Sequence, residues 1–249
     1  MRPRVLILRA AGLNRDEDAA HAVTLAGGEA VRAHVNRLVD RTLRLADFAM
    51  LIIPGGFSYG DHLGAGRLLA IDLQHRLADQ LHPFVASGRA VIGICNGFQA
   101  LVKAGLLPGD ARATLTDNTS ERFECRWVSV TPQPQTVCPF VRALDHSIET
   151  PVAHGEGRFV LADPAALAAL DASGQVALRY AADTYPANPN GSVAAIAGVC
   201  NAQGNVLGLM PHLENAVLPH QHPRWTREPA RAEGEGLALF RHAVVYAAR

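Results

Sequence analysis

The sequence predicts an α/β fold with a mainly parallel central sheet flanked by helices and extra strands in the second half. Three observations carry this. Short, continuously apolar segments recur at residues 5–8, 48–53 and 90–94, as strands buried on both faces do. Stretches of helical periodicity separate them. After residue 122 the extended segments follow one another with turn residues between them, as in added antiparallel strands.

Residues 5–8 form the first strand and lead to a turn near Gly12-Leu13-Asn14. A helix is expected over 16–26, stopped by Gly27-Gly28. The second strand, 48–53, runs straight into Pro54-Gly55-Gly56. A helix over 65–81 carries an apolar stripe through Leu68, Leu69, Ile71 and Leu77. The third strand, 90–94, leads into Cys95 and a helix over 97–104. Residues 122–130, 175–180, 194–200 and 205–210 read as extended, with Asn201-Ala202-Gln203-Gly204 as a hairpin turn. Residues 216–234, rich in proline, arginine and histidine, read as an irregular loop insertion, and 237–248 as an amphipathic helix. With no internal repeat and no linker, the expectation is a single domain over 1–249.

A chain of 249 residues, 49% hydrophobic and 18% charged, has ample material for a core. Its 23 basic and 23 acidic side chains balance, which argues against a broad nucleic-acid or anionic-membrane footprint. Lys103 is the sole lysine and lies outside any phosphate-loop pattern. Cys95, Cys125, Cys138 and Cys200 form no Cys-x-x-Cys pair, so zinc and dithiol chemistry have little support, and no metal site is expected. The N-terminal apolar stretch is too short for a signal peptide, and nothing has the length of a membrane span. A reducing cytoplasm is therefore expected, which suits a reactive thiol.

Gly93-Ile94-Cys95-Asn96-Gly97 matches a nucleophile elbow, a strained strand-to-helix turn that lifts its central side chain above the sheet. The helix N-terminus there favours a thiolate. An elbow nucleophile needs a base and a group to orient it. Two His-x-Glu pairs compete, His154-Gly155-Glu156 and His212-Leu213-Glu214, because residues two apart share a side of an extended chain. His212 follows an apolar strand, whereas His154 sits in a glycine-rich stretch that reads as a surface loop, so the pattern favours His212. His220-x-His222 has metal-ligand spacing but reads as solvent-exposed. The order nucleophile, histidine, acid is not that of the α/β-hydrolases, where the acid precedes the histidine. Pro54-Gly55-Gly56 shares the rim with Cys95, because loops at the carboxyl ends of parallel strands lie together. Its N–H groups, with that of Asn96, would serve an oxyanion.

These residues together resemble the class I (triad) glutamine amidotransferases, most of all the branch that serves purine biosynthesis. The matching segments are Pro54-Gly55-Gly56-Phe57-Ser58-Tyr59-Gly60-Asp61, Gly93-Ile94-Cys95-Asn96-Gly97-Phe98-Gln99 and Ala153-His154-Gly155-Glu156-Gly157-Arg158-Phe159. Asn188-Pro189-Asn190-Gly191-Ser192, Ile196-Ala197-Gly198-Val199-Cys200-Asn201 and Met210-Pro211-His212-x-Glu214 complete the set in the family's order. The resemblance implies a flavodoxin-like fold and a Cys95–His212–Glu214 triad that hydrolyses glutamine to glutamate and ammonia. Gly55 or Gly56 and Asn96 would form the oxyanion hole, and Gln99, Asn118 and Ser120 would lie near bound glutamine. It implies no cofactor in this chain. ATP and magnesium would belong to a partner synthetase that makes formylglycinamidine ribonucleotide from formylglycinamide ribonucleotide, with a small third subunit beside it. The chain departs from the family at Asn14-Arg15-Asp16, where Asn-Cys-Asp is usual, and at Leu213, where proline is usual. Residues 217–229 are longer than in compact members. A stand-alone hydrolase or chaperone-like relative would lack the His-x-Glu strand end, and a dead-site regulatory domain would lack the intact triad.

Overall fold

The computed structural model describes residues 2–109 and 111–249. In chain order these residues form β1 (Arg4–Arg9), α1 (Asp16–Leu25), β2 (Glu29–His34), α2 (Asn36–Val39), β3 (Met50–Ile53), α3 (Arg67–Ile71), α4 (Ala78–Ala86), β4 (Ala90–Ile94) and α5 (Asn96–Lys103). The second half adds β5 (Ala113–Thr116), β6 (Glu124–Pro132), α6 (Pro139–Arg142), β7 (Ile148–His154), β8 (Arg158–Leu161), α7 (Pro164–Ala172), β9 (Val176–Tyr180), β10 (Ile196–Cys200), β11 (Val206–Leu209) and α8 (Leu237–Ala247).

Among the described residues one nine-stranded sheet runs β2-β1-β3-β4-β11-β10-β9-β6-β7, and β5 and β8 make a separate antiparallel pair. From β2 to β11 the pairings are parallel; from β11 to β7 they are antiparallel. The mixed sheet thus has the expected parallel half with the extra strands appended. All residues of β3, β4, β10 and β11 are buried, so helices must cover both faces. α1 and α6 pack with α8, while α3 packs with α5.

The register places the rim. Ile53 pairs with Gly93, and Leu209 pairs with Ile94. β4 therefore sits between β3 and β11, and the three chains that leave their carboxyl ends emerge side by side. They are the Pro54 loop, Cys95, and the Met210-Pro211-His212 segment.

Four expectations need correction. β2 was not foreseen: Glu-Ala-Val-Arg-Ala-His is polar and largely unburied because it is the sheet's edge strand. The helix over 65–81 is two helices joined by a wide π turn over Asp72–Arg76, with a break at Leu77 (φ −121°, ψ 0°). Asp72 there turns inward, accepting from the Tyr59 hydroxyl and pairing with Arg76 at 2.9 Å, and a local apolar stripe does not report such a polar anchor. His154 is not in a surface loop; it is the buried last residue of β7. His222 is likewise buried, its Nε2 2.7 Å from Glu149 and its ring edge-on to Trp127.

Candidate active site

The strand-to-helix turn at Cys95 is closed by its glycines. A methyl on Gly97 would collide with the Ile53 carbonyl, and one on Gly93 with Leu101 and the Gly97 carbonyl. Only bare backbone lets α5 approach β3 and β4 so closely. Cys95 itself takes φ 50° and ψ −104°, a conformation that is strained for a residue with a Cβ and that persists at functional sites because the surroundings enforce it. Its N–H donates to the Leu209 carbonyl at 2.8 Å, and its own carbonyl accepts from Gln99 N–H at 3.0 Å. The side chain lies with Sγ 3.7 Å from the Ala153 carbonyl oxygen.

His212 comes from the neighbouring strand end. Its N–H donates to the Pro151 carbonyl at 2.8 Å, and Nδ1 lies 2.7 Å from Glu214 Oε1. The chain is not extended here: Leu213–Asn215 is a 3₁₀ turn, and the turn, not strand alternation, brings the two side chains together. With the carboxylate on Nδ1, that nitrogen carries the proton and Nε2 is the free end, beside Cys95. Burial alone would lower the His212 pKa; Glu214 and the Cys95 sulfur outweigh it and hold it well above the ordinary histidine value. An imidazolium is therefore stabilised at the point where a thiol proton would be received.

Gly55 runs past this pair so closely that a Cβ on it would sit 2.7 Å from His212 Cε1 and 3.5 Å from Cys95 Cβ. Its carbonyl accepts from Arg15 N–H at 3.2 Å, and Phe57 N–H donates to Gly12 at 2.9 Å. Those bonds hold Gly56 at φ 143° in a bridge to Leu13. Among the described residues no acceptor takes the Gly56 N–H. Asn96 begins α5, so its N–H also has no intrahelical acceptor. The Asn96 side chain ties the two loops together, accepting from Ser58 N–H at 3.0 Å and donating to Asp61 (2.9 Å) and Gln99 (3.0 Å).

A cavity of about 210 Å³ opens over Cys95. Gly56, Gln99 and His154 help to wall it, with Glu156, weighed from sequence only as an acid partner for His154, and two carboxylates that sequence reasoning did not single out, Asp61 and Asp117. Phe57 and Phe123, stacked at 6.3 Å and half-exposed, stand at its rim. Glu156 does not partner His154: its carboxylate accepts from Ala65 N–H and faces Lys103 Nζ at 3.6 Å. Burial lowers the Lys103 pKa and Glu156 opposes that; burial likewise raises Asp61, with Asn96 opposing. Three clefts are roomier: two of about 520 and 370 Å³ beside Arg89, near the amino ends of β3 and β4, and one of about 380 Å³ between β8 and α7, lined by Leu161 and Leu167. None of the three is lined by a cysteine, so chemistry, not volume, marks the site.

Of the glutamine contacts expected from sequence, Gln99 reaches the cavity, its Nε2 donating to the Glu156 carbonyl at 2.6 Å. Asn118 and Ser120 do not wall the cavity. Asn118 donates to the Arg122 and His154 carbonyls and accepts from Gly157 N–H, which leaves its amide nothing for a substrate. Ser120 is turned away to Glu124 at 2.7 Å. Asp61, missed from sequence, stands inside a segment already quoted for the resemblance, and Glu156 was weighed only as a partner for His154; what hid their place in the cavity was that only fold contacts reveal which way they face.

Residues 2–247 match the model of the CobB/CobQ-like glutamine amidotransferase domain. Phosphoribosylformylglycinamidine synthase subunit PurQ of Treponema denticola is 48% identical over 88% of this chain and 90% of its own length. The subunit of the same name from Dehalococcoides mccartyi is 43% identical over 98% of this chain and 97% of its own. Among solved structures, one described as PurLQS from Thermotoga maritima superposes with a TM-score of 0.77 at 33% identity, covering 99% of both chains. Full-length similarity at these identities, over a fold that delivers a thiol, an imidazole and a carboxylate to one rim, places the chain in the glutamine amidotransferase family, within the PurQ subunits of phosphoribosylformylglycinamidine synthase.

Proposed function

We propose that this chain hydrolyses glutamine to glutamate and ammonia and delivers the ammonia to a synthetase that forms formylglycinamidine ribonucleotide. The observation that carries the reading is the junction of a strained Cys95 with the His212–Glu214 pair across Gly55. His212 Nε2 takes the thiol proton, and the sulfur attacks the carboxamide carbon. The developing oxyanion lies against the N–H groups of Gly56 and Asn96, each such donor contributing about 3 kcal/mol to the transition state. As the C–N bond breaks, His212 returns the proton to nitrogen, and ammonia departs from a γ-glutamyl thioester. His212 then deprotonates a water that attacks the thioester, releasing glutamate and restoring the thiol. Glu214 holds the imidazole in the required tautomer and balances its charge.

The consumer of the ammonia is a PurL-type synthetase, with a small PurS-type third subunit, by likeness to the PurLQS assembly. The ATP and magnesium of the overall reaction belong to that synthetase. Among the described residues no helix is long and apolar enough to cross a membrane; separately, a nucleophilic thiol that must stay reduced supports the reading of a cytoplasmic enzyme. The test is glutamine turnover by the chain mixed with its synthetase. Cys95→Ala should abolish turnover, and a glutamine-mimicking electrophile should label Cys95 alone in peptide mass spectra. Turnover unchanged in the variant would remove the mechanism.

A further inference from the structure

His154 has no task in the triad, yet it helps to wall the cavity over Cys95 and is only 2% exposed. The residue before it, Ala153, presents the carbonyl that lies 3.7 Å from Cys95 Sγ. Its tautomer follows from its neighbours. Asn118 Nδ2 donates to two carbonyl oxygens, of Arg122 and His154, both at 2.8 Å. Asn118 Oδ1, thereby assigned, accepts from Gly157 N–H at 3.0 Å and faces His154 Nδ1 at 3.2 Å. An oxygen acceptor requires a proton on Nδ1, so the neutral ring carries its lone pair on Nε2. Gly157 packs directly on the ring, where a side chain would collide with it. The ring is thus fixed, and Nε2 is a buried acceptor with no partner among the described residues. Buried acceptors are ordinarily satisfied, and one left without a partner in a residue that helps to wall a catalytic cavity calls for a ligand donor.

Glutamine brings two kinds of donor, its carboxamide N–H groups and its α-ammonium. His212 must reach the leaving nitrogen to protonate it, and His154 lies within the electrostatic reach of His212. Of these donors only the leaving nitrogen has to come to His212, the ring that His154 neighbours. We propose that His154 Nε2 accepts a hydrogen bond from the carboxamide N–H of glutamine, and then from the ammonia it becomes, holding that nitrogen beside His212. This rests on the glutaminase reading above. Burial, followed by the charge on His212, lowers the His154 pKa to about 3, so the ring neither protonates ammonia nor competes for the proton His212 delivers. Ammonia then leaves as the free base, the form that is a nucleophile.

The experiment compares glutamine with glutamate γ-methyl ester, whose leaving atom is an oxygen that bears no hydrogen. The full chain is assayed with its synthetase partner as wild type, His154→Leu and His154→Gln. In His154→Leu, kcat/KM for glutamine should fall about ten- to hundredfold, the loss of one well-placed acceptor, while the ester changes by no more than about threefold on the same scale. His154→Gln restores an acceptor at that depth and should recover part of the amide rate. Equal loss for both substrates, or no loss for glutamine, overturns the proposal. Should the leucine variant not fold, ¹⁵N histidine spectra of the Cys95→Ala chain decide. His154 Nε2 should be unprotonated, and its signal should move with glutamine and stay with the ester. A protonated Nε2, or no response to glutamine, overturns it. A Cys95→Ala chain that still turns over both substrates would instead refute the triad.

Discussion

Gly55→Ala tests the geometry of the triad with one methyl group. A Cβ at this position would lie 2.7 Å from His212 Cε1, 3.4 Å from Nδ1 and 3.5 Å from Cys95 Cβ. Carbon atoms pack best at about 3.5–4.0 Å, so the ring must retreat by about 1 Å. It cannot pivot freely, because Nδ1 is bonded to Glu214 at 2.7 Å and the His212 backbone to Pro151 at 2.8 Å. The retreat therefore falls on Nε2, which exchanges protons with sulfur and nitrogen. A misplacement of about 1 Å lowers a rate by about 100-fold. Overpacking of this kind destabilises a fold by about 1–3 kcal/mol, which lowers Tm by roughly 2–12 °C in a chain of this size. The assay is steady-state glutamine hydrolysis with the synthetase present, beside a thermal melt. The loss should fall on kcat, with KM changed far less. A folded variant with kcat within twofold of wild type would refute the placement of Gly55 between the two side chains.

Glu214→Gln keeps a hydrogen-bonding group but removes the charge that orients His212, and kcat should drop by about 10²–10⁴-fold. The His212 pKa is raised in the fold, so the stability this pairing contributes is full below the unfolded histidine value of about 6.5 and is lost as pH rises through the folded value. The Tm gap between wild type and Glu214→Gln should accordingly narrow from pH 6 toward alkaline pH, and a gap that widens would contradict the sign. Glu149 receives His222 and Arg224, at 2.7 and 2.9 Å. Burial raises its pKa, but these partners outweigh that and lower it. Because the carboxylate is a third exposed, Glu149→Gln should cost only about 1 kcal/mol in denaturant melts. That cost should be full above the ordinary glutamate value of about 4.3 and vanish as pH falls through the lowered folded value.

The parallel half of the fold was legible because its strands are buried on both faces, and β3, β4 and β11 show that as unbroken apolar runs. Cys95 was legible for a related reason: Gly93 and Gly97 mark the close approach that the elbow needs. β2 was not, since an edge strand carries the polar residues of a loop. His222 was not, because its burial depends on Glu149, 73 residues away. Local pattern reports what the backbone must do, while side-chain partners across the fold remain hidden from it.

The two His-x-Glu pairs make the point most sharply, because by spacing they are the same motif. After His212 the chain tightens into a 3₁₀ turn and Glu214 swings back onto Nδ1. After His154 it opens through two glycines, and Glu156 goes instead to Ala65 N–H and Lys103. His154 then meets Asn118, which is neutral. A carboxylate on Nδ1 makes one imidazole a base that holds a proton; an amide oxygen on the same atom leaves the other neutral, with an acceptor facing outward. Both sit within electrostatic reach of each other, and two charged rings there would repel. The neutrality of His154 therefore supports the protonation of His212: a second carboxylate at Asn118 would charge both rings and weaken the base that Cys95 requires.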